Sequence, residues 1–118
     1  GPTGPTGPTG TVTNTIIVLG GSAHTSSGQA HGTTWGPSTA SCPVDFPVAI
    51  GGGFKFTDMS SGGSQHGLDQ AGVYQSIPVD QDDDDVPDGW QVKGLVLGPN
   101  DMPTGSDIVI QAYAVCAI

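Results

Sequence analysis

Glycine occupies every third position at the start of the chain. Residues 1–10 read Gly-Pro-Thr three times and then Gly10. Only glycine fits where three polyproline-type chains crowd their common axis, so a strict three-residue glycine period is the signature of a collagen triple helix. A flexible Gly/Pro linker has no need to keep this register. We therefore predict that residues 1–10 are the end of a triple-helical stalk and that the protein is a homotrimer.

The stalk segment is too short to hold three chains together by itself. Its ten residues, at about 3.1 Å each, span about 30 Å, and polyproline-type chains have no internal hydrogen bonds, so they depend on many contacts between chains. We expect the natural stalk to continue towards the N terminus. We also expect residues 11–118, enough for one β domain, to form a head that sets the trimer through its own contacts.

The head reads as an all-β domain. Its apolar residues come in short runs rich in Val, Ile and Ala, separated by turns rich in Gly, Ser and Thr. No window shows helical spacing of apolar residues without a Gly or Pro in it, whereas short runs between turns are typical of strands. The pattern predicts a compact β-sandwich or jelly-roll-like head with long polar loops at 22–40 and 60–72. The predicted strands are 11–19, 48–50, 54–56, 73–79, 90–97 and 108–116.

The last predicted strand, 108–116, alternates with a period of two, and both of its faces are mostly apolar. A strand at the surface of an antiparallel sandwich normally has one polar face. We therefore expect this strand to be central and buried on both sides, with one face covered by a neighbouring subunit.

Charge excludes several classes of partner. The formal net charge is −9, and Lys55 and Lys93 are the only lysine or arginine side chains. Binding to nucleic acid or to anionic membrane surfaces needs clustered cations. No apolar stretch approaches the roughly 20 residues of a membrane span. We expect no nucleic-acid partner and no membrane insertion.

The usual sequence signs of an enzyme are also missing. The chain has no glutamate, no Gly-x-Ser-x-Gly nucleophile elbow and no cysteine in a catalytic setting. The spacing of His24, His31 and His66 matches no metal-binding pair, so we interpret them as surface histidines. We predict a non-enzymatic protein with no catalytic residues.

The chain has two cysteines, Cys42 and Cys116. A single intrachain disulfide is the simplest interpretation, and it would close a loop of about 75 residues. The alternatives are two buried free thiols or thiols that bridge chains. A disulfide would place the protein in an oxidising setting, extracellular or on a virion.

Four short motifs follow one another from Cys42 onwards. They are Cys42-Pro43, 48–54 (VAIGGGF), 89–92 (GWQV) and 113–117 (YAVCA). In this order they resemble a C-terminal head domain that follows collagen-like repeats in bacterial and phage fibre proteins. The resemblance implies a small β fold whose first and last cysteines are paired, and it implies no established chemistry.

Six aspartates fall within the nine residues 80–88. At full ionisation their mutual repulsion disfavours a compact loop unless a cation or deep solvation relieves it. Ca²⁺ binds six to eight oxygens, and alternating aspartates on a short loop are able to converge on such a centre. The sequence predicts a calcium site here, with a solvated acidic loop as the alternative.

The stretch 80–90 resembles one thrombospondin type 3 calcium repeat, which has aspartates at alternate positions, a glycine, and a further aspartate after Val-Pro or Ile-Pro. Asp85 takes the place where the repeat usually has glycine, and the chain has one copy where that family has several. Three such loops near a threefold axis would be able to share ions between chains. The ligands that the resemblance implies are Asp80, Asp82, Asp84 and Asp88, with Asp83 and Asp85 as further candidates.

Trp35 lies in the predicted loop 22–40. An exposed aromatic there would be able to stack on a sugar ring, so Trp35 is a candidate ligand contact. Two functions follow for the head: a structural cap that trimerises the end of a fibre, or an adhesive module that binds a surface glycan or protein receptor. A subunit of a larger filament is a third. Each places the protein in an extracellular setting, on a cell surface or on a virion.

Overall fold

The strands form two antiparallel sheets. The computed structural model describes residues 14–25, 28–60 and 68–118. The first sheet has the order β1-β6-β3 and the second the order β2-β5-β4, which confirms the predicted all-β class. The stalk residues 1–10 and His66 lie outside the described residues. The strands are β1 (Thr15–His24), β2 (Thr34–Ser41), β3 (Val48–Asp58), β4 (Ala71–Val79), β5 (Gly89–Val96) and β6 (Ile108–Ala117), and a short 3-10 helix, Leu68–Gln70, precedes β4.

The core lies between the two sheets, and β6 contributes most to it. This strand pairs with β1 on one side and β3 on the other, so its predicted central position is confirmed. Trp35, Val92 and Val96 face it from the second sheet. Alternate residues of β6 point into the core because successive side chains of a strand face opposite ways. The fully buried ones are Ile108, Ile110, Ala112, Ala114 and Cys116.

Strands β1 and β2 differ from the prediction. β1 does not end at Leu19 but continues through a bulge at Gly20-Gly21 to His24. The predicted loop 22–40 is wrong over its second half, because residues 34–41 form β2. The hydroxyl of Ser38 links β2 to the first sheet. It donates to the carbonyl of Gly21 in β1 and accepts from the backbone N–H of Ala112 in β6 at 2.9 Å. A side chain of β2 thus completes hydrogen bonding where the bulge interrupts the β1–β6 ladder.

Both indole rings lie against glycine, Trp90 across the two sheets and Trp35 within the second sheet. A Cβ at Gly52 of β3 would overlap the Trp90 ring of the opposite sheet, and one at Gly94 would lie 2.6 Å from the Trp35 ring. Glycine at these two positions lets each ring lie against backbone. The two predicted strands 48–50 and 54–56 are one continuous strand, 48–58, through the triple-glycine segment. Its register with β6 shifts between Ala49 and Gly51.

The chain reverses direction at every strand, so the connections gather at two ends of the sandwich. We call the end where the chain enters β1 the entry end, and the opposite one the far end. The entry end carries the 42–47 loop, the acidic loop 80–88 and the C terminus. At the far end β1, β3 and β5 end, and β2, β4 and β6 begin. The predicted stalk precedes β1 in the chain, so it would join the head at the entry end.

A disulfide ties the two sheets together at the entry end. Cys42, just after β2, is bonded to Cys116 of β6, as the sequence predicts, and no free cysteine remains. Backbone hydrogen bonds reinforce this end. The N–H of Cys42 donates to the carbonyl of Asp88, and that of Ala49 to the carbonyl of Pro87, each at 2.8 Å.

Candidate metal centre

The acidic loop 80–88 joins β4 to β5, and its last aspartate closes it. The N–H of Asp88 donates to the carbonyl of Val79 at 2.9 Å. The carboxylate of Asp88 accepts from the backbone N–H of Gln81 at 2.9 Å and from the N–H of Asp82 at 3.3 Å. The two ends of the loop are therefore held together by one side chain.

Asp80 organises the middle of the loop in the same way. Its carboxylate oxygens accept from the N–H of Asp84 at 3.2 Å and from the N–H of Asp85 at 2.6 Å. The backbone here is left-handed, with φ of 62° at Asp83 and 69° at Asp85. Asp85 thus adopts the conformation that favours glycine, the residue expected at its position in the calcium repeat. Aspartate tolerates this conformation better than most residues.

Three of the predicted ligands come together. Asp80, Asp82 and Asp88 each offer a carboxylate oxygen, and these oxygens lie within 4.8 Å of one another. Asp83, Asp84 and Asp85 are not in this group. The carboxylate of Asp84 accepts from the N–H of Val86 at 2.9 Å.

The cluster concentrates negative charge. A hydrogen bond with Asp80, slight loss of hydration, and the hydrogen bond and negative charge of nearby Asp84 raise the pKa of Asp82 to about 6; the charge of Asp88 adds to this. Burial opposes ionisation of Asp80 and Asp88, but backbone N–H donors outweigh it and lower both pKa values. At neutral pH all three carboxylates are then ionised. In the described part of the chain no lysine or histidine forms an ion pair with them.

Converging carboxylate oxygens of this kind suit a hard divalent cation. Ca²⁺ is bound by six to eight oxygens at about 2.3–2.6 Å, and carboxylates coordinate it through one oxygen or two. Asp80, Asp82 and Asp88 would supply the charged part of such a shell, and water the remainder. The donor set differs from the cysteine and histidine sets that are typical of structural zinc sites.

Trp35 does not occupy the exposed loop position predicted for it. It lies on β2 and is 6% exposed. Its Nε1 donates to the carbonyl of Ala23 at 3.2 Å, and its ring contacts Phe56 with centroids 6.2 Å apart. The prediction of an exposed aromatic is wrong because the side chain alternates into the core, over Gly94, which leaves no free ring face for a sugar.

The two described histidines lie at the far end and are exposed, as predicted. Nδ1 of His24 lies 2.7 Å from Oδ1 of Asp107, and the backbone N–H of His31 donates to Asp101 at 2.8 Å. Sequence reasoning missed the pair of His24 and Asp107. Its members are 83 residues apart, and no local pattern links them.

In the described part of the chain, no helix is long and apolar enough to cross a membrane. Neither a protein-family model, nor a curated protein, nor a solved structure matches the chain.

Proposed function

We propose that this chain ends a collagen-like fibre, as a structural head that caps a homotrimeric stalk and keeps its three chains in register. The observation that carries the proposal is the glycine period at positions 1, 4, 7 and 10, which leads within a few residues into β1. Polyproline-type chains depend on contacts between chains, and the head would add such contacts next to the stalk.

The covalent and hydrogen-bonded links at the entry end suit a head that joins a stalk. The Cys42–Cys116 disulfide and the backbone bonds of Cys42 and Ala49 cross-link the head where the stalk would join it. A force along the stalk would pass into β1 and then, through β6, into both sheets. A disulfide also fits an extracellular, cell-surface or virion setting, because such settings are oxidising.

Calcium is the second part of the proposal. We propose that Asp80, Asp82 and Asp88 hold a Ca²⁺ ion that stabilises the entry end. The carboxylates converge without a cationic partner among the described residues, and a divalent ion would relieve their repulsion. Because the loop lies at the entry end, threefold symmetry about the stalk would bring three copies towards one axis.

The test is the molar mass of the full chain by light scattering, with calcium and then with chelator. We expect a trimer in calcium and a lower melting temperature in chelator. Asp82→Asn should abolish the calcium-dependent rise in melting temperature, whereas Asp45→Asn, an exposed control, should preserve it. A trimer with the same melting temperature in both conditions would support the proposed cap but contradict the proposed calcium site. A monomer throughout would contradict the proposal, and a larger assembly would favour a filament subunit.

An adhesive function is the second candidate, and the topology favours the far end for it. β1, β3 and β5 end there, opposite the predicted stalk, where a fibre tip would meet a glycan or protein receptor. We expect a glycan array probed with the full chain to show binding that is unaffected by Asp82→Asn at the other end. A blank array would weaken the glycan form of this function.

A further inference from the structure

The outward faces of the two sheets differ in chemistry. Residues directly opposite each other in an antiparallel pair share a face, and the faces alternate along a strand. On the second sheet, polar and apolar residues are mixed on the outward face: Gln91 lies between Thr39 and Ile77. Gln75 lies beside Lys93, so a charged row crosses this face. The first sheet differs because part of its outward face is apolar without interruption.

The first sheet has an apolar outward patch. Ile17 lies opposite Val115, and Leu19 opposite Tyr113; Ile17 is 69% and Leu19 59% exposed in the single chain. On the other side of β6, Val115 pairs with Gly51 and Tyr113 with Gly53. We call this set the apolar patch, and its members are Ile17, Leu19, Gly51, Gly53, Tyr113 and Val115.

The patch is confined to the entry half of the sheet. One pair further along β6, the outward face turns polar, with Gln111 opposite Lys55 and Ser22. The apolar rows are therefore the ones nearest to the point where the chain enters β1. The polar rows lie towards the far end.

The relief of the patch suits contact with another protein surface. The Tyr113 ring covers Gly53, since a Cβ there would lie 2.7 Å from its hydroxyl oxygen. Gly51 is open: no atom of the described residues lies within 4 Å of the position a Cβ would take. The patch therefore has open space above Gly51, beside Val115, and none of its six residues is charged.

We propose that the three heads contact one another through the apolar patch. The inference rests on the proposed trimeric stalk, because a stalk on the threefold axis brings the entry halves of the heads closest together. Each chain carries a formal charge of −9, so close approach of three heads requires an uncharged contact surface. The patch provides one, and it completes the burial of β6 on its second face.

The test compares two isoleucine-to-lysine variants of the full chain by light scattering, in calcium. Ile17→Lys places a charge in the patch, and Ile77→Lys places one on the outward face of the second sheet. In the single chain Ile77 is the less exposed of the two, at 40% against 69% for Ile17. Without a partner, Ile17→Lys should therefore be the milder change. We expect the opposite: loss of the trimer with Ile17→Lys and retention with Ile77→Lys.

Gly51→Lys is the second variant and guards against a folding defect. The space above Gly51 is open, so the single head should keep its circular dichroism spectrum while its mass falls from three chains to one. A wild-type trimer that survives both Ile17→Lys and Gly51→Lys would overturn the patch as the contact surface but leave the proposed cap intact. Equal dissociation by Ile77→Lys would also overturn it. A wild-type monomer would overturn both proposals.

Discussion

The double variant Cys42→Ala/Cys116→Ala is expected to melt roughly 15 °C below the wild type, a loss of about 4 kcal/mol in the free energy of unfolding. The bond joins residues 74 positions apart, and Cys116 is fully buried. Closing so long a loop removes much of the entropy of the unfolded chain, which is the main source of stabilisation in the chain-entropy model. Differential scanning calorimetry at a fixed protein concentration measures the shift.

Two controls separate the bond from the packing of its sulfur atoms. Reduction of the disulfide in the wild type should cause most of the same fall in melting temperature without any substitution. Ser41→Ala, at the exposed position next to Cys42, should change the melting temperature little. If the wild type melted at the same temperature in a thiol reductant that had fully reduced it, the disulfide would not stabilise the head.

Trp35→Ala is expected to cost about 3–5 kcal/mol, the usual cost of removing a large aromatic side chain from a core. The ring is 6% exposed, lies against Gly94 and contacts Phe56. Its loss opens a cavity between the sheets, because neither backbone nor glycine is able to fill the space. It also leaves the carbonyl of Ala23 without its indole donor. Urea denaturation of the full chain measures the change.

Trp35→Phe is the matched control. It keeps a ring in the same place but loses the hydrogen bond to Ala23 and part of the ring volume, so its cost should be clearly smaller than that of Trp35→Ala. At an exposed position either change would alter the free energy of unfolding by no more than about 0.5 kcal/mol. A Trp35→Ala variant as stable as the wild type would return Trp35 to the role of an exposed ligand contact.

Local patterns predicted β6 well and β2 not at all. In 108–116 the alternation of side chains is continuous, and it depends only on neighbours in the chain. β2 is different. Its sequence, TWGPSTAS, contains Gly36-Pro37 and small polar residues that are typical of loops. It becomes a strand because β5 pairs with it and because Trp35, Ser38 and Ala40 are buried, and neither condition is visible locally.

The candidate metal centre divides in the same way. Six aspartates in nine residues are a local feature, so the sequence alone located the loop and led to the prediction of a cation site. Which of them converge depends on the path of the backbone, which is left-handed at Asp83 and Asp85. That path brings Asp80, Asp82 and Asp88 together.

The sequence by itself determined the features that depend on short spacing: the glycine period, the alternation in 108–116, the acidic loop and the presence of just two cysteines to pair. Tertiary structure decided the rest. The pairing of β1 with β6 brings Ile17 beside Val115, and strand reversal places the acidic loop at the entry end. Both depend on registers between residues far apart in the chain, which are set by burial of one face of each strand rather than by neighbouring residues.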